Sequence, residues 1–125
     1  MADVLDEMLV LMRASNGIGL AGAQVGIAQR LFVSELDGQT ICLANPVITS
    51  RRGREEMLEG CLSIPGIQVS VGRNREVEVH GYDSRGRKQV YRVEGLWARV
   101  MQHEIDHLDG VLICDHGKPR RGHEQ

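Results

Sequence analysis

The sequence predicts an α+β domain in which antiparallel or mixed strands surround a central helix near the C-terminus, with a further helix at the N-terminus. Three observations carry that expectation. Apolar residues recur at helical spacing at both ends; between them short β-rich segments alternate with a period of two and are punctuated by turn residues; and the C-terminal helix carries the pattern His103-Glu104-Ile105-Asp106-His107. At 125 residues the chain fits one domain, long enough to bury a core. That domain is expected to span residues 1–115, followed by a polar, frayed tail over residues 116–125.

From Asp3 to Ala14, the residues Val4, Met8, Leu11 and Met12 fall at helical spacing, with Asp3 a candidate N-cap. Ser15, Asn16 and Gly17 end that helix. The next stretch, Gly17-Ile18-Gly19-Leu20-Ala21-Gly22-Ala23-Gln24-Val25-Gly26, is too rich in glycine and alanine to bury much side chain, and it lets the backbone approach something closely. A nucleotide loop is excluded because no strand precedes it, and both the third glycine of a dinucleotide fingerprint and the Lys-Ser/Thr of a phosphate loop are missing. Leu31-Phe32-Val33 and Thr40-Ile41-Cys42-Leu43 flank an Asp37-Gly38 turn and read as a hairpin. Asn45-Pro46 breaks that run before a further strand at Val47-Ile48-Thr49, and a charged loop is expected between Arg51 and Glu56. Met57 to Gly66 leads into alternating Ile67, Val69 and Val71. Val77 and Val79 then alternate with Glu76, Glu78 and His80, and Asp83-Ser84-Arg85-Gly86 turns the chain back into Gln89-Val90-Tyr91-Arg92-Val93. His80 lies on the polar phase and reads as a solvated residue. The second helix runs from Gly95 to Leu108, closed by Asp109, with Gly110 available for a left-handed position. Val111-Leu112-Ile113-Cys114 is expected as a short last strand.

A formal net charge of −2 offers no global attraction to nucleic acid, and the local clusters Arg51, Arg52, Arg54 and Lys118, Arg120, Arg121 read as solvated charge. Apolar runs such as Met8 to Met12 fall far short of a membrane span, and the acidic N-terminus does not resemble a secretion signal. The three cysteines, odd in number and far apart, fit reduced thiols in a cytoplasmic protein, with Cys42 and Cys114 as packed core residues. Direct nucleic-acid and membrane functions are set aside on these grounds.

The four-residue spacing of His103 and His107 stacks both imidazoles on one helix face, where they can hold a single metal ion with Glu104 beside them. Leu96 and Val100 share that stripe, so the metal face continues into an apolar surface. A catalytic metal usually has three protein ligands, so one more is needed. The metzincin pattern would put a histidine where Ile113 stands, and the thermolysin-like alternative needs a downstream glutamate, for which only Glu124 remains. Both protease completions fail. The upstream candidate is Cys61, between Gly60 and Leu62: a thiolate, two neutral imidazoles and a hydroxide would balance a divalent cation. Taken by itself, Cys61 also reads as a core thiol.

Three stretches, Gly17-Ile18-Gly19-Leu20-Ala21-Gly22-Ala23-Gln24, Glu59-Gly60-Cys61-Leu62-Ser63 and Gln102-His103-Glu104-Ile105-Asp106-His107, resemble in order and separation the signature motifs of the peptide deformylases. The resemblance covers nearly the whole chain, from the first helix to Asp115. It implies a metal-dependent hydrolase that removes the formyl group from N-formylmethionyl peptides of nascent proteins and releases formate. By that resemblance Cys61, His103 and His107 bind one divalent metal ion, natively Fe2+, for which Zn2+, Ni2+ or Co2+ can substitute. Glu104 matches the general base and acid, and Gln24 and the backbone N–H of Leu62 match the oxyanion donors. Backbone at Ile18, Gly19 and Gly60 would pair with an extended peptide, and Ile18, Glu59, Leu96, Val100 and His103 would surround the methionine side chain. Arg73 matches a family arginine near the second helix, where pairing with Asp106 is expected. Gly22 departs from the alanine usual in the first motif. The chain is also short at both ends relative to the family, and without the long final helix that bacterial members use at the ribosome, ribosome docking is not carried over. The alternatives are a metallopeptidase and an inactive homologue that binds formyl peptides or metal.

Overall fold

The computed structural model describes residues 2–14, 17–27, 29–61, 64–110 and 120–121, with the side chains of residues 2, 3, 61, 64, 65, 67, 120 and 121 left out. The expectations at Ser15, Asn16, Leu62, Ser63 and Val111 to Cys114 lie outside the described residues.

Helix α1 (Ala2–Ala14) buries Leu5, Met8 and Met12, spaced three and four apart along one face. Asp3 lies inside its first turn instead of capping it, and Leu11, expected on the buried face, is 49% exposed on the flank of the stripe centred on Met8. Strand β1 (Gly19–Ala21) runs into a 3-10 turn (Gly22–Val25), which Gly26 closes in the left-handed region at φ 76°. Strands β2 (Leu31–Leu36) and β3 (Gln39–Arg52) form the expected hairpin. Asp37 and Gly38 take φ values of 51° and 78°, and two positive-φ residues give a turn whose twist matches that of the strands it joins.

Two expectations fail in this region. Asn45-Pro46 does not end the strand: β3 passes through it on a bulge, with Asn45 at φ 50° and a register shift between Ala44 and Val47. Proline has no N–H to donate, and the bulge places it where the ladder requires none. Nor does a charged loop reach from Arg51 to Glu56. Strand β4 (Glu55–Cys61) starts almost at once, because Arg51 pairs across from Val77 and Glu55 across from Arg73, and those ladders absorb the charged residues.

Strands β5 (Ile64–Arg73), β6 (Glu76–Tyr82) and β7 (Lys88–Glu94) precede helix α2 (Gly95–Leu108), and a two-residue strand β8 (Arg120–Arg121) follows. The larger sheet has the order β1-β2-β3-β6-β7 and the smaller β4-β5-β8, all neighbours antiparallel. Arg120 and Arg121, the two described residues of the tail expected over residues 116–125, pair with Gln68 and Ile67, satisfying backbone groups at the edge of β5.

Alternation in the larger sheet sorts its side chains between the two helices. Leu20, Leu31, Val33 and Ala44 pack with Leu5, Met8 and Met12 of α1. Ala21, Phe32 and Leu43, each next to one of these residues, and Ile41 join Val77 and Val79 of β6 against Ala98, Met101 and Ile105 of α2. Gly19, two residues before Ala21, therefore lies on the α2 face. Cys42 packs half-buried beside the α1 cluster, its thiol pushed up to about 11 by burial. His80 is partly exposed, with Nε2 3.3 Å from Glu78. Among the described residues, no helix is long and apolar enough to cross a membrane.

Candidate functional site

Helix α2 presents three working faces, and its sequence assigns them. With Ala98, Met101 and Ile105 buried against the larger sheet, a rotation of about 100° per residue places His103 and His107 on the opposite side. Arg99, Gln102 and Asp106 then form one flank, toward β4 and β5, and Glu104 forms the other, toward β1. The helix ends as expected: the Asp109 N–H donates to the carbonyls of Ile105 (3.1 Å) and Asp106 (3.0 Å), and Gly110 takes φ 77°. Arg30 donates to the Leu108 carbonyl at 3.2 Å and to the Asp109 carboxylate at 2.7 Å, placing a cation at the negative end of the helix.

His103 and His107 meet edge to face, with ring centroids 4.7 Å apart and Nε2 atoms 3.1 Å apart. Nδ1 of His103 lies 2.7 Å from Oε1 of Glu59, and as a carboxylate only accepts, Nδ1 is the donor and Nε2 is the ring nitrogen turned toward His107. Two nitrogens sharing a tetrahedral ion, with bonds of about 2.0–2.1 Å, stand roughly 3.3 Å apart, so the pair fits a common metal. Among the described residues no group of three His, Cys, Asp or Glu side chains forms an ion site, and the Cys61 side chain lies outside them. Its backbone ends β4, just after a register shift at Gly60, between the Glu59–Val69 and Cys61–Ile64 pairs.

Glu59 is the hub of the α2 flank. Arg73 donates to it through Nε (2.7 Å) and Nη2 (2.8 Å), in the two-pronged geometry that suits guanidinium and carboxylate, while its Nη1 reaches Asp106 at 2.7 Å, the pairing the sequence suggests. Arg99 donates to the same Glu59 oxygen that takes the Arg73 Nε proton, to the Val71 carbonyl at 3.0 Å and to the Glu55 carbonyl. Burial by itself would raise the Glu59 carboxyl, but the donors His103 and Arg73 outweigh it and hold the group at about 2. Gln102 is buried in a reciprocal clamp, its oxygen accepting from the Asn74 N–H at 3.0 Å and its amide donating to the Asn74 carbonyl at 2.8 Å.

On the other flank, Glu104 is 4% exposed and lies against Gly19. A Cβ at Gly19 would sit 2.4 Å from Oε2 of Glu104 and 2.9 Å from its carboxyl carbon, so this glycine makes room for the carboxylate. Gln24, in the 3-10 turn after β1, accepts the Ala21 N–H at 2.9 Å through Oε1, which leaves the NH2 end of the amide as its donor. At Gly22 a Cβ would come 3.0 Å from the Gln29 carbonyl oxygen.

The other expected site residues are distributed as follows. Ile18 is 44% exposed ahead of β1, and Leu96 is 48% exposed in the first turn of α2, whereas Val100 is buried. Glu59, expected beside the methionine side chain, commits its carboxylate to Arg73, Arg99 and His103. Leu62 lies outside the described residues. Sequence reasoning missed Arg99; the available signal was an arginine one helical turn before His103, where the helix turns toward a second layer.

The polypeptide deformylase family profile matches residues 1–122. The peptide deformylase of Dictyoglomus thermophilum is 46% identical over 109 residues, which make up 87% of this chain and 71% of the relative. The crystal structure of peptide deformylase from Thermus thermophilus superposes with a TM-score of 0.90 at 45% identity, covering 93% of this chain and 71% of that one. A peptide deformylase from Synechococcus elongatus, solved in complex with actinonin, superposes with a TM-score of 0.90 at 42% identity, covering 94% and 67% of the two chains. The chain belongs to the polypeptide deformylase family, and its activity is that of a peptide deformylase.

Proposed function

We propose that deformylation here uses Cys61, His103 and His107 as ligands of one divalent metal ion, natively Fe2+, with Glu104 as base and acid and with Gln24 and the N–H of Leu62 as oxyanion donors. The observation that carries this reading is the approach of the two Nε2 atoms to 3.1 Å, with Glu59 on the far nitrogen of His103. When bound, such a metal supplies Lewis acidity that makes water acidic enough to attack at neutral pH. Glu104 accepts a proton as the water oxygen bonds to the formyl carbon, and the donors at Gln24 and Leu62 meet the charge that develops on the formyl oxygen. Glu104 then returns the proton to the amide nitrogen as the carbon–nitrogen bond breaks, leaving formate and a free amino terminus. Burial of Glu104 against β1 supports this role, since a carboxylate held in place loses little entropy when it works.

The substrate is the N-formylmethionyl end of a nascent chain, handled in the cytoplasm. Ile18, Gly19 and Gly60 would align its backbone, and Leu96 and Val100 would receive its methionine side chain beside His103. Glu59 serves this pocket by holding His103.

Formate release from an N-formylmethionyl tripeptide by anaerobically purified, Fe2+-loaded protein tests the reading. Wild type is expected to turn over; Glu104→Gln to keep metal but lose about 10²–10⁴-fold in rate; and Cys61→Ala to lose metal. Metal-loaded, folded wild type that releases no formate would overturn the proposal, and cleavage of internal peptide bonds would point to a peptidase.

A further inference from the structure

The metal ligands assigned above sit on two separate elements, His103 and His107 on α2 and Cys61 on β4. Apolar packing seats α2 on the larger sheet, through Ala98, Met101 and Ile105, and so does not by itself fix where the β4–β5 hairpin stands. We propose that Arg99 is a positioning residue for the metal centre, setting the register between α2 and β4 that brings Cys61 to the two histidines. This rests on the assignment of those three ligands.

Arg99 is buried, 6% exposed, one turn before His103. Its guanidinium reaches both strands of the hairpin: β4 at the Glu55 carbonyl and the Glu59 carboxylate, and β5 at the Val71 carbonyl, 3.0 Å away. A rigid fork with several N–H groups can hold three acceptors at once, which a single ammonium on a flexible stem cannot do in the same geometry. Arg73 plays a different part. It stands on β5, so its two bonds to Glu59 stay within the hairpin, and it reaches α2 only through Asp106. Arg99 is the arginine that α2 itself extends into the hairpin.

The consequence passes along β4. Glu59 stands two residues before Cys61, and the register shift at Gly60 lies between them, so the place where Glu59 is clamped sets where the Cys61 backbone leaves the strand. The same carboxylate orients His103 at 2.7 Å. Arg99 therefore acts on both halves of the ligand set through Glu59, without reaching the metal. Two arginines and two carboxylates, Arg73 and Arg99 with Glu59 and Asp106, balance formally in this layer, which makes their burial tolerable.

The test compares Arg99→Met and Arg99→Lys with wild type and with Val79→Ala, a truncation in the core of the larger sheet. Three quantities are measured: Zn2+ affinity by competition with a chromophoric chelator, the absorption spectrum of the Co2+ form, and the melting temperature of the apoprotein. Arg99→Met is expected to weaken Zn2+ binding by about 10–100-fold and to shift the Co2+ bands, with Arg99→Lys recovering part of both. Val79→Ala is expected to lower melting without changing either metal readout. Wild-type affinity and spectrum in both Arg99 variants would overturn the inference, as would an equal loss of affinity in Val79→Ala at the same drop in melting. If Arg99→Met does not fold, Arg99→Lys carries the comparison alone: wild-type metal readouts in it overturn the inference. Wild type that binds neither metal would instead reject the ligand assignment.

Discussion

Gly19→Ala tests how closely Glu104, the proposed base, is placed. The added Cβ would lie 2.4 Å from Oε2, 2.9 Å from Cδ and 3.1 Å from Cγ of Glu104. Ordinary contact begins near 3.4 Å, so the carboxylate must retreat by about 1 Å, a displacement that can cost roughly 100-fold in rate when it separates a catalytic group from its target. The expected fall in kcat/KM is therefore about 100-fold, or about 2.7 kcal/mol of lost transition-state stabilisation. Metal content should not follow, because His103 and His107 face away from β1. The assay is formate release from an N-formylmethionyl tripeptide, with metal measured on the same samples. Because Gly19 is also an expected backbone contact for the peptide, kcat and KM must be separated: displacement of Glu104 lowers kcat, whereas a spoiled peptide track raises KM. A kcat within threefold of wild type, or a loss that tracks missing metal, would refute the reasoning.

Two further outcomes follow from charge. Arg73→Met removes both prongs from a buried carboxylate, and breaking such a pair costs about 3–5 kcal/mol. Asp106, whose side chain is 27% exposed, can turn to water, so Asp106→Asn should cost clearly less; equal losses in chemical denaturation of the apoproteins would contradict this ranking. Glu78, on the outer face of the larger sheet, is held at about 2 by Arg92, Thr49 and His80, against an ordinary value of 4.5. A depressed folded value stabilises the fold above the unfolded value and is lost as pH falls through the folded one. The melting difference between wild type and Glu78→Gln should hold above pH 4.5 and shrink toward pH 2; a difference independent of pH would exclude that linkage.

Those elements that could be read from the sequence are the ones whose signal is local. The Asp37-Gly38 turn, the extent of α2 and its Asp109-Gly110 end each depend on a few adjacent residues, and each forms as expected. The strand through Asn45-Pro46 and the short link at Gly53-Arg54 depend on partners far along the chain. Proline and a run of charge normally interrupt a strand, yet β6 and β5 supply ladders that carry β3 and β4 up to and past those residues. Strand continuity at these residues is a tertiary decision, made by the ladders to β6 and β5.

The site divides in the same way, and the division has a physical cause. His103, Glu104 and His107 were legible because one helical turn already puts them together, and the pairing of Arg73 with Asp106 because the resemblance supplied it. The resemblance gives Glu59 a place beside the methionine side chain, and its hydrogen bonds add a link to His103. The Glu59 carboxylate is satisfied by donors on β5 and α2, which no spacing along β4 can reveal. Arg99 is the sharpest case: an arginine amid apolar residues on a helix reads as a solvated edge until a second strand layer is laid over that edge. What the sequence carries plainly is the chemistry that shares one element. The residues that hold that element against its neighbours belong to two elements at once, and they become legible only when the layers meet.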